Sequence, residues 1–196
     1  MRSIVVLLSG KGSNLESIAR SCASGALKKR LAISAVIADR ENCAGTALAS
    51  SLGIKTYVLP FAQFEQRCDF EQALAARIRP MNPDWIVLAG FMRVLGADFV
   101  AEFAGRLVNI HPSLLPLFPG LHTHRQALQA KVTEHGATVH YVTARLDAGP
   151  TILQARVPVL IGDDEISLAK RVLAAEHDLY PAALVQLLDS QQIKQR

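Results

Sequence analysis

The sequence predicts an α/β fold: a mostly parallel, Rossmann-like sheet with helices on both faces and an antiparallel C-terminal part. Three observations predict it. Continuous Val/Ile/Leu runs recur, separated by stretches with helical spacing, which is the pattern of parallel strands covered on both faces. A glycine-bearing loop, "SGKGSN", follows the first run and leads into a helix. After Gly136 the apolar residues alternate, as they do in antiparallel strands.

The elements follow in order. "SIVVLLS" reads as a strand and "NLESIARSCAS" as a helix starting near Asn14, with Ser13 or Asn14 able to cap it. "LAISAVIAD" is strand-like, and "AGTALASSLG" is helical with a glycine stop at Gly53. "IKTYVLP" is a strand, "FEQRCDFEQALAARIR" a helix, "DWIVLAG" a strand, "ADFVAEFAG" a short helix and "LVNIH" the next strand. "ATVHYVTA" and "TILQARVPVL" form the alternating pair, joined through "RLDAGP". A long helix from about Glu165 to Ser190 closes the chain, interrupted at Pro181. No repeat, low-complexity tract or linker divides the sequence, so residues 1–196 are expected to form a single domain.

The bulk numbers exclude several classes. Half of the 196 residues are hydrophobic and 19% are charged, which suits a packed core and not a disordered chain. The net charge of +4 comes without a dense basic block, since the longest run is Lys28-Lys29-Arg30, between a helix and a strand. That argues against a nucleic-acid partner and is compatible with an anionic substrate. Cys22, Cys43 and Cys68 are odd in number and widely spaced, as reduced thiols are. No apolar stretch is long enough to span a bilayer, so no membrane partner and a cytoplasmic location are expected.

Three stretches carry candidate chemistry. In "SGKGSN", Gly10 and Gly12 permit a tight turn, and N–H groups at a helix start can hold a phosphate. Neither the dinucleotide nor the Walker spacing is present, so a purely structural turn is an equal reading. In "LVNIHPSLLP", Asn109 and His111 lie two apart on a strand and so point the same way. An amide N–H beside an imidazole N–H makes a donor pair for an oxyanion; a satisfied structural histidine is the plainer alternative. Asp147 in "RLDAGP" is the candidate carboxylate to orient that histidine and favour its charged form, or else a turn aspartate bonded locally. His122, His124, His135, His140 and His177 show no metal-ligand spacing, so no metal is expected, and His140 reads as a core or supporting group.

Taken together, "VVLLSGKGSNLESI", "VLAGFMRVL", "LVNIHPSLLPLFPGLHTHRQAL", "HGATVHYVTARLDAGPTILQARVPV" and "RVLAAEHDLYP" resemble the phosphoribosylglycinamide formyltransferase family over nearly the whole chain. The N-I-H-P-S-L-L-P block followed by F-P-G-L-H is the most specific part. The resemblance implies a formyltransferase fold and formyl transfer from 10-formyltetrahydrofolate, the co-substrate, to glycinamide ribonucleotide. It implies that Asn109, His111 and Asp147 are catalytic. It implies that Gly12, Ser13, Asn14 and Arg67 hold the nucleotide phosphate and that Glu176 contacts the glycinamide. Folate is implied to lie along Met92, Arg93, Val94 and Leu95, against Asn109, and along Thr143, Ala144, Arg145, Leu146 and Asp147. Ala144 and Arg145 stand where some relatives carry acidic residues, and the family's contacts there are partly through backbone. Monomer and homodimer both remain open. The competing expectations are a methionyl-tRNA formyltransferase, a formyltetrahydrofolate hydrolase, or a nucleotide-binding module without catalysis. The two enzymes would carry a further C-terminal RNA-binding or N-terminal regulatory domain, neither expected here, and simple binding does not need an Asn-x-His pair.

Overall fold

The computed structural model describes residues 1–193; the last three residues of the expected 1–196 domain lie outside the described residues. In chain order the elements are β1 (Arg2–Leu8), α1 (Ser13–Ser24), β2 (Leu31–Ala38), α2 (Ala44–Ser51), β3 (Thr56–Val58), α3 (Arg67–Ile78), β4 (Trp85–Leu88) and α4 (Ala97–Glu102). They continue with β5 (Leu107–His111), α5 (Thr123–Gln129), β6 (Glu134–Tyr141), β7 (Thr151–Pro158) and α6 (Glu165–Ile193). The strands follow the order β3-β2-β1-β4-β5-β6-β7. The chain divides into two compact units, Met1–Val108 and the part from Asn109 onward.

In the first unit, β1 pairs parallel with β2 and β4, and β2 pairs parallel with β3. Ile4, Val5, Val6, Leu7 and Leu8 are all 0% exposed. Successive strand side chains point to opposite faces, so both faces of β1 are covered. Each such side chain contributes about 1.5–3 kcal/mol through burial. Helix α1 packs on β2, and α2 packs on β2 and β3. Asp84 ties down the start of β1, accepting from the Ser3 N–H at 2.7 Å and from Arg2 at 2.6 Å. The helix expected over "FEQRCDFEQALAARIR" begins only at Arg67. Ahead of it, Phe61–Gln63 forms a 3-10 turn, and the Phe61 and Phe64 rings meet Phe70 edge-on at 5.1 and 5.7 Å. This aromatic cluster sets the entry to α3 in place of another helical turn.

In the second unit, β6 and β7 are antiparallel, as expected. Their register slips after Val139↔Leu153, and His140 pairs with Thr151, leaving Ile152 as the extra residue of a bulge. Gly136 admits the close approach of β7, since a Cβ there would strike the Ala155 carbonyl. Helix α6 packs on β6, β7 and α5 through Leu168, Val172, Tyr180, Ala183 and Leu184, each 0% exposed. Its start is fixed by a reciprocal cap, Ser167 N–H to Asp164 Oδ1 at 2.7 Å and Asp164 N–H to Ser167 Oγ at 3.0 Å. The expected break at Pro181 does not occur; the helix runs through it. Proline there forfeits one backbone bond, a cost of about 3 kcal/mol. The buried residues on either side, Leu179, Tyr180, Ala183 and Leu184, outweigh that loss. Among the described residues, no helix is long and apolar enough to cross a membrane.

Candidate functional site

In the second unit, Asn109 and His111 end β5, and the chain then turns into a loop that would ordinarily be mobile. Here it is stitched to the neighbouring strands. Thr138 of β6 donates to the Ser113 carbonyl at 2.7 Å and accepts from the Leu115 N–H at 3.0 Å. Gln154 of β7 donates to the Leu115 carbonyl at 2.8 Å. Ser113, which is 0% exposed, donates to the Leu117 carbonyl at 2.6 Å. The Leu115–Pro116 peptide bond is cis.

This loop, β5 and the turn after β6 bring three of the expected groups together. The buried His111 ring places Nδ1 3.4 Å from Oδ2 of Asp147 and Nε2 3.0 Å from the Phe118 carbonyl oxygen. Both ring nitrogens therefore face acceptors, and only a doubly protonated ring can donate to both. Asp147 has a left-handed backbone (φ 49°), which aspartate tolerates better than most residues. Its Oδ2 also accepts the Gly120 N–H at 2.9 Å, and its Oδ1 lies 3.9 Å from Nε2 of His140. The Asn109 amide nitrogen is 3.3 Å from His140 Nε2. His140, which the sequence reads as a core or supporting group, is thus a member of the constellation. Its only signal was a histidine flanked by apolar Val139 and the aromatic Tyr141 on β6, which is also what a satisfied core histidine looks like.

His124 and His135 flank the same loop. His135 Nε2 is 3.2 Å from His124 Nδ1, and the Phe118 ring packs edge-on to His135 at 5.9 Å. Burial pushes the His135 imidazole down to about 4, with the neighbouring His124 and His111 adding to the effect. His124 is lowered too, again mainly by burial. The pair H-x-H expected in a loop spans a helix start, with His122 (φ 59°) as the residue before α5. Among the described residues, no group of three or more His, Cys, Asp or Glu is arranged to hold a metal ion.

Glu176 lies buried on α6, one turn before the fully buried Tyr180. The glutamate charge adds to burial in raising the Tyr180 phenol well above its usual value. The Thr143–Asp147 turn exposes Ala144, Arg145 and Leu146, and Thr143 donates to the Arg145 carbonyl at 3.2 Å.

The first unit holds the other expected residues. Gly12, not Ser13 or Asn14, is the residue before α1, and no side chain caps the helix. Gly12 has φ +81°, a conformation that favours glycine, so the turn rests on its backbone and leaves the serine and asparagine within the first turn. Gly45, which no sequence motif marks, makes the loop possible. A Cβ on Gly12 would lie 2.9 Å from Gly45 Cα, and the Gly45 N–H and Cys43 thiol both donate to the Gly10 carbonyl, at 3.0 and 2.9 Å. The first helical bond of α1 runs from the Glu16 N–H to the Gly12 carbonyl at 2.9 Å. Arg67 begins α3, with its Nε 3.4 Å from the buried Glu71, which also accepts the Gly96 N–H at 2.7 Å. Along Met92–Leu95, Met92 and Val94 are exposed and Leu95 is buried. Ser9 Oγ accepts the Met92 N–H at 2.9 Å, and the Arg93 guanidinium is held by buried Asp39 and stacks over Phe61 at 4.2 Å.

The family model for formyl transferase matches residues 2–184, so the chain belongs to the formyl transferase family. Within that family it is similar to phosphoribosylglycinamide formyltransferases. It is 46% identical over 187 residues to the one from Escherichia coli K12, covering 95% of this chain and 87% of that one. The crystal structure of the Brucella melitensis phosphoribosylglycinamide formyltransferase superposes with a TM-score of 0.90 at 45% identity, covering 95% of each chain. That of glycinamide ribonucleotide transformylase 1 from Symbiobacterium toebii gives 0.92 at 42% identity, covering 97% of this chain and 89% of that one.

Proposed function

We propose that this chain is an enzyme of purine biosynthesis that moves the formyl group of 10-formyltetrahydrofolate to the amine of glycinamide ribonucleotide. The observation that carries the reading is the Asp147 carboxylate facing His111 and His140 while Asn109 bonds to His140, all in one unit of a formyl transferase family chain. The similarity to proteins named for this reaction supports the choice of acceptor.

In the reaction, the amine nitrogen attacks the formyl carbon and a new C–N bond forms. The carbonyl oxygen becomes an oxyanion, and Asn109 and His111 donate to it. For His111 this means exchanging the Phe118 carbonyl for the oxyanion at Nε2. Asp147 orients the ring through Nδ1. The bond between the formyl carbon and the folate nitrogen then breaks, and the proton lost by the amine ends on that nitrogen. No covalent enzyme intermediate is required. Gly12, Ser13, Asn14 and Arg67 hold the phosphate, with α1 contributing its N-terminal N–H groups. Glu176 holds the glycinamide hydrogens. Met92, Arg93, Val94 and Leu95 receive the folate, as do Thr143, Ala144, Arg145, Leu146 and Asp147. Ala144 and Arg145 serve through backbone. Residues 1–196 act as one formyltransferase domain, in the cytoplasm, on small molecules, without a metal.

The test is incubation of formyl-labelled 10-formyltetrahydrofolate with glycinamide ribonucleotide and, in parallel, with methionyl-tRNA, the products being identified by mass spectrometry. Label in formylglycinamide ribonucleotide is the expected result. Label released only as formate, or transferred only to methionyl-tRNA, would overturn the choice of acceptor.

A further inference from the structure

His140 has a specific set of partners for a histidine in a buried strand. It is 2% exposed. Its Nδ1 is 2.9 Å from the Tyr141 carbonyl oxygen, which can only accept, so the proton of a neutral ring sits on Nδ1. Nε2 then carries a lone pair. The nearer group facing that lone pair is the Asn109 amide at 3.3 Å, with Asp147 Oδ1 beyond hydrogen-bond reach at 3.9 Å, and a lone pair requires the NH₂ end of the amide, not its oxygen. The bulge at Ile152, opposite Val139 and His140, accompanies this placement. Such irregularities commonly re-aim a side chain beside a functional site.

The two charged or titratable groups that act on His140 are Asp147 and His111. Asp147 favours a charged His140 and His111 opposes it. Burial is the larger influence, and the imidazole is lowered from its usual value. The neutral ring is the form that can accept from Asn109.

We propose that His140 is a positioning residue, whose neutral, Nδ1-protonated ring fixes which end of the Asn109 amide faces it. One Asn109 N–H is committed to His140, and the second remains as the donor that the oxyanion needs. With the amide reversed, Oδ1 would meet the Nε2 lone pair, acceptor against acceptor, and the N–H placed for the oxyanion would move to the far side of the amide. The inference rests on the formyl-transfer reading for its catalytic consequence, but the ring tautomer and the amide orientation are properties of the chain alone.

The first measurement uses the unaltered protein without substrate: ¹⁵N NMR of the imidazole nitrogens at pH 7.5. A protonated Nδ1 and an unprotonated Nε2 on His140 are expected. A proton on Nε2 would overturn the proposal, whether or not the chain transfers formyl groups, so failure here is distinct from failure of the functional reading. The second measurement is kinetic. His140→Asn keeps a donor for Tyr141 but reaches too short to accept from Asn109, and should lower kcat by about 10–10²-fold with each KM within a few-fold. His140→Gln restores an acceptor at the ε position and should recover most of that loss. In an Asn109→Ala background, His140→Asn should cost nothing further, because the amide it positions is gone. Wild-type kcat in His140→Asn, or the same fold-loss with and without Asn109, would show that His140 supports the strand and not the amide.

Discussion

At the scale of single residues, the site is a set of side chains whose partners determine one another. His111 faces the Phe118 carbonyl on one side and Asp147 on the other, and Asn109 is engaged by His140. His111→Ala should therefore lower kcat by about 10²–10³-fold, the usual loss for one oxyanion donor, with Tm changed little. Asn109→Ala should lose a similar amount. Because both serve one oxygen, the double variant should fall short of the product of the two losses. Full kcat in His111→Ala at saturating substrates would sink the assignment. A second residue-scale expectation concerns acid. His135 is held neutral by burial, with its folded value near 4 against about 6.5 for a free ring. Between those values the unfolded chain binds a proton that the folded chain refuses. Stability should thus decline as pH falls from about 6.5 to about 4, and the decline from this residue should end below that window. His135→Gln should flatten the slope of denaturation free energy against pH across the window; an unchanged slope would assign the acid sensitivity elsewhere.

At the scale of elements, the strands were legible because burial on both faces leaves a run such as Ile4–Leu8 no room for polar residues. The Asn109 and His111 pair was legible for the opposite reason, since two hydrogen-bonding side chains interrupt such a run at its end. Helix α5 was not, because seven residues following a proline-rich loop leave too little periodicity to detect. Pro181 misled because a local rule against proline is overridden by burial that only the folded chain supplies. For His140 a supporting place was legible as one of two readings, but its partners, Tyr141 and Asn109, were not, because spacing does not reveal them. The loop before α1 offers an element-scale prediction. Gly12→Ala adds a Cβ at φ +81°, 2.9 Å from Gly45 Cα. That combines backbone strain of about 1–2 kcal/mol with a clash against main chain that cannot swing away. The start of α1 should shift, and the KM for glycinamide ribonucleotide should rise at least tenfold, with a smaller change in the folate KM. Equal effects on both substrates would point to general loosening of the fold.

At the scale of the whole molecule, ligand binding should register as stability. A ligand at one hundred times its Kd stabilises the folded form by about 2.7 kcal/mol. Glycinamide ribonucleotide should raise Tm by the few degrees that this implies, and ribose 5-phosphate should raise it less. EDTA should alter neither Tm nor turnover, since none of the proposed steps requires a metal ion. The loop between β5 and α5 has a further consequence, in the language of amide exchange. Its N–H groups at Ser113, Leu115, Leu117 and Gly120 donate to the His111 carbonyl, Thr138 Oγ1, the Leu114 carbonyl and Asp147. Within a stretch without regular structure, the Leu115 and Gly120 amides should therefore exchange deuterium at rates close to those of the strands that hold them, because opening those two bonds requires disturbing β6 or the Asp147 turn. Among these loop amides, Asp147→Asn would weaken the acceptor of Gly120 alone, so the Gly120 amide should exchange faster while Leu115, anchored to Thr138, keeps its pace. The same carboxylate that faces two histidines would then be timing the motion of the loop beside them, and a deuterium-uptake trace, read residue by residue, would record it without any substrate present.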